Sequence, residues 1–369
     1  MKRTALLAKK ILLACAALLV PAWATAQGGG SGSSGTNASS GTWEPTAPMQ
    51  LVVPAGEGGG ADQMARLLAQ VVAKHGLARQ PIQVVNITGN SGTDAFLGVK
   101  AARGDPHKLV ITLSNLFTAP LATGAAFSWR DLTPVQMLAL DQFVLWVPAQ
   151  SPHGDAKGLI DAMRRAPKGS LKLGGTGTLQ EDQLISVLLE TAGDSRLTYQ
   201  PFRGGGDVVR ALAAGQVDMT VNNPIEAEAL WREAKVRPLC VFDGARIEHT
   251  QRVARGQGWS DLPTCMSAGI PVQYLMMRGL FMAPGTPPAA QAYYRRLLER
   301  VRDTAEWKEF MLRGAFKPSA LAGAEFDAWL ERAASFHKLI MREARLLPGS
   351  SPAPTLTAAA SAPAAAKKP

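Results

Sequence analysis

Residues that commonly build metal or catalytic sites are scarce in this chain. Its 369 residues include only three cysteines and five histidines, which form no CxxC pair and no Cys/His cluster with zinc-ligand spacing. A Gly-x-Ser-x-Gly elbow, a His-Glu-x-x-His helix and a Walker loop are also missing. The sequence therefore predicts no catalytic residue, no metal site and no cofactor.

Two further absences narrow the range of partners. Aromatic residues make up 6% of the chain and no basic stripe is interleaved with them, so nucleic acid is not predicted as a partner. After the first 26 residues no apolar run is long enough to span a bilayer. The formal charge of +10 falls to +6 without the four basic residues of that N-terminal segment. This small net positive charge is weak evidence for an anionic solute.

The first 26 residues are typical of a secretory signal peptide. A basic start precedes the apolar stretch 11–20, and a small-x-small cleavage site follows at 24–26. Cys15 lies in an apolar run that continues past it, which favours cleavage over lipid attachment. We therefore expect an exported, periplasmic protein.

Composition also marks the ends of the folded region. Residues 27–43 form a Gly/Ser-rich tether, and residues 347–369 form a Pro/Ala-rich tail, both predicted to be disordered. About 300 residues remain between them, enough for two lobes of ordinary domain size.

Short apolar runs alternate with helical patterns from Trp43 onward. The strand-like runs are 51–54, 82–86, 109–113, 143–147, 171–173, 197–199, 217–221 and 239–242. The helical patterns are 61–75, 92–103, 155–166, 179–192, 205–214 and 224–235, followed by 287–302 and 323–345. This alternation predicts an α/β fold with mostly parallel sheets flanked by helices. Ligands of such sheets bind outside the carboxyl ends of the strands, where the loops gather.

A glycine-rich segment, residues 56–62, follows the first strand and opens the first helix. Glycines at such a junction let backbone N–H groups approach a ligand, and the helix N-terminus favours an anion. A tight turn that binds nothing is the alternative. The segment also fits a loose dinucleotide pattern, but the second strand ends at 84–87 without the acid that would hold a ribose.

A second junction of the same kind covers residues 174–182. Thr178 with Glu181 matches a capping box, and free N–H groups there, with the hydroxyls of Thr176 and Thr178, could hold a carboxylate. Thr178 acting only as a cap is the plain alternative. Glu181 and Asp182 would repel an anion that they faced, so we expect both to point away from it.

Two more junctions carry polar side chains. Arg203, before the glycines 204–206, could pair with a carboxylate, although an exposed arginine beside a turn is equally compatible with the pattern. Asn222 and Asn223 end a strand and offer both donors and acceptors, or they simply initiate a turn before Pro224.

Cys240 and Cys265 remain after cleavage, in a compartment that permits a disulfide. Cys240 lies in the apolar run 238–242, so a buried free thiol is the alternative, and spacing alone decides neither.

In their order along the chain, these segments resemble the receptors of tripartite tricarboxylate transporters, also called Bug proteins. The resemblance covers about residues 46–346. It rests on Val53-Pro54, 58–62 with Ala65-Arg66, 84–86, Gly89 and Gly92, Ser114-Asn115, 175–178, Tyr199 with 202–205, 215–218, 222–224, 262–264, 278–281 and Ala283-Pro284.

The resemblance implies a two-lobed periplasmic binding protein of type II-like fold, with hinge strands between the lobes. We expect the first lobe to comprise 44–147 and 274–346, and the second 148–273. It further implies a monomer that captures a small, carboxylated organic molecule between its lobes and delivers it to membrane permease subunits, without catalysis. A ligand-sensing receptor for a signalling partner and a periplasmic enzyme are the alternatives.

Carried over to this chain, the resemblance also implies a set of ligand-binding residues from both lobes. These are Glu57, Gly58, Gly59, Gly60, Ala61, Asp62, Ser114, Asn115, Thr176, Gly177, Thr178, Arg203, Asp218 and Asn222. Two positions depart from the family pattern: Glu57 stands where proline is common, and Gln183 where many members carry histidine. Glu57 places a carboxylate beside the expected anion loop, and we predict that it faces the cleft.

Overall fold

The computed structural model describes residues 43–348. They form two lobes, each built on one β-sheet with helices packed against it. This confirms the predicted fold class. The predicted signal peptide lies outside the described residues, as do nearly all of the tether and the tail. Within residues 43–348, none of the helices combines the length and apolar composition that a membrane crossing requires.

The first lobe contains a six-stranded sheet in the order β13-β4-β12-β3-β1-β2. Its strands are β1 (Met49–Val53), β2 (Ile82–Asn86), β3 (Lys108–Thr112), β4 (Thr133–Gln142), β12 (Leu275–Met282) and β13 (Lys317–Pro318). Strand β1 pairs in parallel with β2 and β3, whereas β12 and β4 pair antiparallel. The sheet is therefore mixed, not mostly parallel.

Helices cover this sheet because each carries an apolar stripe. The first helix, for example, buries Met64, Leu68 and Val71 against the strands. The helices of this lobe are α1 (Gly60–Lys74), α2 (Thr93–Ala101), α3 (Asn115–Thr123), α8 (Pro288–Arg302), α9 (Ala305–Arg313) and α10 (Gly323–Glu343), with short 3₁₀ turns at Gly89–Gly92 and Trp129–Asp131.

The second lobe contains a five-stranded sheet in the order β7-β6-β8-β5-β9. Its strands are β5 (Val144–Pro148), β6 (Lys172–Thr176), β7 (Thr198–Phe202), β8 (Met219–Thr220) and β9 (Val236–Val241). Its helices are α4 (Ala156–Arg165), α5 (Glu181–Gly193), α6 (Gly205–Ala213) and α7 (Pro224–Arg232). A two-stranded ribbon, β10 (Arg252–Ala254) with β11 (Gln257–Gly258), and a 3₁₀ turn at Trp259–Asp261 follow.

The chain crosses between the sheets along strands that lie side by side. Strand β4 ends at Gln142 and β5 begins at Val144, so a single residue, Phe143, separates the two sheets. On its way back to the first lobe the chain passes Phe242, just after β9, and later enters β12. The N–H of Phe242 donates to Phe143 O at 2.9 Å. Because these strands run out and back, they are antiparallel, which explains why both sheets are mixed. We place the first crossover at Phe143, four residues before the boundary expected from the resemblance.

Helix α10 packs against both lobes. Its first half buries Phe326 and Leu330 in the core of the first lobe, and its second half buries Phe336 and Ile340 in the core of the second. In the second half His337 is also buried, and burial lowers its pKa to about 4. The helix therefore ties the two lobes together on the side of the hinge.

The second lobe carries a disulfide, which the sequence had left undecided. Cys240, in strand β9, is bonded to Cys265, and both side chains are fully buried. The bond joins the strand to the loop that leads back toward the first lobe.

Candidate functional site

The carboxyl ends of strands from both sheets face each other and enclose a small cavity. Its volume is about 30 Å³, room for one or two water molecules. The lobes are therefore closed on each other. The cavity is lined by Ala55, Gly59, Gly60, Ala61, Leu113 and Asn115 of the first lobe, by Thr176, Gln180, Glu181, Asp182, Gly204, Gly205, Asn223 and Glu226 of the second, and by Phe143 and Met276 of the crossover strands.

Two glycines of the first-lobe loop leave no room for a side chain. A Cβ on Gly56 would lie 2.6 Å from the carbonyl oxygen of Arg203, which is rigid backbone of the other lobe. A Cβ on Gly60 would collide with the guanidinium of Arg278, which lies in strand β12 of the same lobe. Gly56 thus serves close contact between the lobes, and Gly60 serves close packing within the first lobe.

Asp62 holds this loop in shape. Its buried carboxylate accepts the N–H of Gly58 at 2.9 Å and the side-chain amide of Asn86 at 3.0 Å. Arg66, one turn further along α1, donates to the same carboxylate at 3.0 Å. Asp62 therefore pairs within its own lobe.

The second-lobe loop is held by a buried acid in the same way. The N–H of Thr176 donates to Asp182 at 2.7 Å, and burial raises the pKa of Asp182 well above its usual range. The hydroxyl of Tyr199 donates to the carbonyl of Gly177 at 3.0 Å. Unlike Asp62, Asp182 lines the cavity.

The predicted capping box at Thr178 is wrong. Helix α5 begins only at Glu181, three residues later, and Gln180 occupies the N-cap position without a side-chain hydrogen bond. The side chain of Gln183 instead accepts the N–H of Leu179 at 2.6 Å. Thr178 is exposed at the rim, where its carbonyl accepts the hydroxyl of Ser91 from the first lobe at 2.8 Å.

The expectation that Glu181 and Asp182 point away from the cavity is also wrong. Both side chains are buried and line it. Burial raises the pKa of Glu181, while the backbone N–H groups of Glu181 itself and of Asn115 at the start of α3 oppose that shift. The helix begins later than the sequence pattern suggested, so its first turn faces inward.

Glu226, which the sequence reading passed over, connects the two lobes most directly. Its carboxylate accepts the N–H of Gly60, at the N-terminus of α1, at 2.9 Å. It also accepts the side chain of Asn222 at 2.9 Å and the backbone N–H of Asn223 at 3.2 Å. The run Asn223-Pro224-x-Glu226 is a capping-box pattern with proline at N1, and this pattern could have identified the residue.

A buried ion pair forms the wall behind Gly60. Arg278 donates to Asp141 through Nε at 3.0 Å and through Nη2, and both side chains are completely buried. Arg278 also contacts Asn223 of the second lobe at 3.3 Å. Burial raises the pKa of Asp141 to about 7, and the attraction of Arg278 opposes this shift.

Three of the predicted ligand residues lie away from the cavity. Glu57 does not face it: its side chain is 80% exposed and pairs with Arg66 at 3.5 Å. The Arg203 side chain is 90% exposed and pairs with Asp207 at 3.2 Å. Asp218 is exposed at the far end of the sheet, where it accepts the N–H of Lys172, at the start of β6, at 2.7 Å.

Five of the remaining predicted residues line the cavity, whereas Gly58 and Thr178 are exposed. Gly59, Gly60, Ala61, Asn115 and Thr176 line it directly. Ser114 is buried next to Asn115, and Asn222 holds Glu226 in place. The arrangement offers amides, hydroxyls and carboxylates to a small polar molecule. Within residues 43–348 no group of three or more His, Cys, Asp or Glu side chains could hold a metal ion.

Comparison with known proteins agrees with this architecture. Residues 64–344 match the model of the tripartite tricarboxylate transporter family receptor. The chain is 30% identical over 249 residues to the UPF0065 protein in the tcbD–tcbE intergenic region of Pseudomonas sp. (strain P51), covering 66% of this chain and 70% of that protein. It is 26% identical over 281 residues to the protein BugT of Bordetella pertussis, covering 73% of this chain and 81% of BugT.

A solved structure shares the two-lobed fold. MatC from Rhodopseudomonas palustris with bound malate superposes with a TM-score of 0.66 at 25% identity, covering 81% of this chain and 98% of MatC. Receptors of this family are periplasmic solute-binding proteins. The sequence resemblance is thereby confirmed, and the chain belongs to the tripartite tricarboxylate transporter family of receptors.

Proposed function

We propose that this protein is a periplasmic receptor that captures a small, carboxylated organic solute in the cavity between its lobes. It then delivers the solute to the membrane permease subunits of a tripartite transporter. No bond is made or broken in this cycle, because the receptor only binds and releases.

One observation carries the proposal. The hydrogen bond from Gly60 N–H in the first lobe to Glu226 in the second spans the cleft at 2.9 Å. Around it, the start of α1 and the backbone N–H of Asn115 meet the second-lobe loop at one enclosed cavity. Helix N-termini that converge on a closed space are suited to a polar solute, and this arrangement needs both lobes.

Closure follows from the crossover strands. The hinge lies where β4 passes into β5 at Phe143 and where the chain returns into β12. Opening there separates Gly60 from Glu226 and exposes the cavity. A solute that contacts both lobes binds the closed form more tightly and therefore shifts the population toward it.

Isothermal titration calorimetry of the mature protein tests the proposal. The panel contains mono-, di- and tricarboxylates, aromatic acids and amino acids. We expect at least one member to bind with a dissociation constant of about 1 mM or tighter. Small-angle scattering with that solute should show a smaller radius of gyration than the free protein has in solution.

Two results would contradict the proposal. One is the absence of binding by every member of the panel while circular dichroism shows a folded α/β protein. The other is a solute that binds the native protein without changing its radius of gyration, although a variant locked in the open form shows the expected larger radius. Delivery is tested separately, because uptake of the bound solute should be lost when the receptor gene is deleted.

A further inference from the structure

The cavity has an acidic wall. Of the residues that line it, Glu181, Asp182 and Glu226 carry carboxyl groups, and no lysine or arginine of the described chain is among them. All three acids belong to the second lobe. The nearest buried cation is Arg278, which lies behind Gly60 in the first lobe. It is already paired with the buried carboxylate of Asp141. When these acids are ionised, the charge around the cavity is therefore negative in balance.

The N–H groups expected to bind a solute carboxylate already have carboxylate partners. Glu226 accepts the N–H of Gly60, and Asp182 accepts that of Thr176. Glu181 lies against the N–H of Asn115 at the start of α3. The protein's own acids thus occupy the anion-binding positions of both lobes. A second carboxylate entering there would meet like charges in a buried, poorly solvated space.

The same cavity has acceptors that lack donors. Asn115 lines it, is 1% exposed, and its side-chain oxygen has no hydrogen-bond partner within residues 43–348. One oxygen of Glu181, 4% exposed, also lacks a hydrogen-bond partner in the described part of the chain. Buried acceptors without partners are costly, so a bound group that brings donors is favoured.

An ammonium group matches these requirements. It supplies three donors and one positive charge in a compact volume. Burial raises the pKa of both Glu181 and Asp182, and the attraction of Arg278 opposes this shift only at Glu181. A cation between the lobes would restore their charged form and would satisfy the free oxygens.

We infer that the cavity selects a solute carrying a protonated amine, and that Glu181 and Glu226 are the residues that select it. The inference rests on the proposed function, because it names the solute class of the same cavity. It applies to amines that also carry a carboxylate, and it disfavours dicarboxylates.

Two series of compounds with equal carbon number isolate the charge of the end groups. The first is succinate, 4-aminobutyrate and 1,4-diaminobutane, and the second is adipate, 6-aminohexanoate and 1,6-diaminohexane. Each series runs from about −2 through 0 to +2 at neutral pH. Calorimetry with the native protein should show an amine-bearing member binding at least about tenfold more tightly than the dicarboxylate of the same length.

Matched variants assign the selection to residues. Glu181→Gln and Glu226→Gln should each reduce the preference for the amine over the dicarboxylate by about tenfold or more. A purely structural role would weaken both ligands equally and leave this ratio unchanged. Glu57→Gln removes the same charge next to the first-lobe loop but outside the cavity, so it should keep the native ratio. If one glutamine variant fails to fold, the other carries the test.

Several outcomes would overturn the inference. A dicarboxylate that binds the native protein as tightly as its amine counterpart would show that Glu226 withdraws to admit a carboxylate. A ratio unchanged in both glutamine variants would exclude the named residues as selectors. If the wider acid panel binds but neither series does, the inference fails and the proposed function stands. If nothing binds in either experiment, both fail.

Discussion

The two loops that meet at the cavity look alike in sequence but have opposite polarity. Residues 56–62 of the first lobe and 174–182 of the second are both glycine-rich turns between a strand and a helix. In the first, Asp62 is neutralised by Arg66 of its own helix, so the loop presents N–H groups. In the second, Glu181 and Asp182 are buried without a basic partner and line the cavity. The first lobe thus supplies donors and the second supplies acceptors.

This difference shows that a glycine-rich turn before a helix does not by itself define an anion site. The position of the acid in the first turn decides the outcome. An acid with an arginine four residues later turns back onto its own loop. Of the two acids without such a partner, Asp182 still accepts the N–H of Thr176 in its own loop, whereas Glu181 lies against the N–H of Asn115 in the other lobe.

The largest effect on stability is expected from Arg278, the buried cation of the first lobe. Arg278→Met leaves Asp141 buried without its partner, so we expect a loss of about 3–5 kcal/mol in the free energy of unfolding. Urea denaturation followed by circular dichroism measures it. A loss below about 1 kcal/mol would contradict this prediction, because the buried carboxyl of Asp141 would then not depend on Arg278 as its partner.

Arg203→Met is the matched control for that experiment. It removes the same charge near the same loops, but the Arg203 side chain is 90% exposed and pairs with Asp207 on the surface. Exposed ion pairs contribute little, so the change should stay within about 0.5 kcal/mol.

A smaller effect should come from Gly56, where the donor loop touches the other lobe. Gly56→Ala places a Cβ 2.6 Å from the carbonyl oxygen of Arg203. We expect the closed form to lose about 1–3 kcal/mol, as overpacked sites do, while the open form is unaffected. Since affinity depends on the population of the closed form, it should fall about 5- to 150-fold. Calorimetry and small-angle scattering report affinity and closure.

Gly98→Ala controls for the loss of a glycine as such. A Cβ at Gly98 would have no heavy atom within 4 Å, so the affinity should be unchanged. Equal effects of the two substitutions would mean that the contact between Gly56 and Arg203 does not limit closure.

Sequence reasoning predicted the scaffold better than the cavity. Strand and helix periodicity located β1, α1 and the glycine loops, because these features depend on local sequence. A local capping-box pattern marks Glu226, but its bond to Gly60 and the contact of Arg278 with Asn223 join segments more than 50 residues apart, and no local pattern encodes such contacts. Glu57 was expected in the cavity only from its position in the loop, and its carboxylate is exposed instead.

The misplacement of Glu181 and Asp182 has a specific cause. The sequence suggested that Thr178 caps a helix over 179–192, with both acids in its first turn and pointing away from the ligand. The helix starts at Glu181 because Leu179 adopts a positive φ of 59° and breaks the helical path before it. Such a backbone conformation is uncommon for leucine and could not be predicted from its neighbours.

The smallest effect concerns the pH dependence of the acceptor lobe. Burial raises the pKa of Asp182 in the folded protein, so its contribution to stability is complete below the usual aspartate pKa of about 3.9 and is lost as the pH rises through the raised value. Asp182→Asn removes this titration, so its unfolding free energy should decline less than that of the native protein from about pH 4 upward. Urea denaturation at a series of pH values measures both curves.

Asp218→Asn is the control, because Asp218 also accepts one backbone N–H at 2.7 Å but is exposed. Its curve should run parallel to the native one. If the curve of Asp182→Asn is parallel as well, the second lobe has no unpaired acid at the cavity, and the difference in polarity between the two loops does not hold.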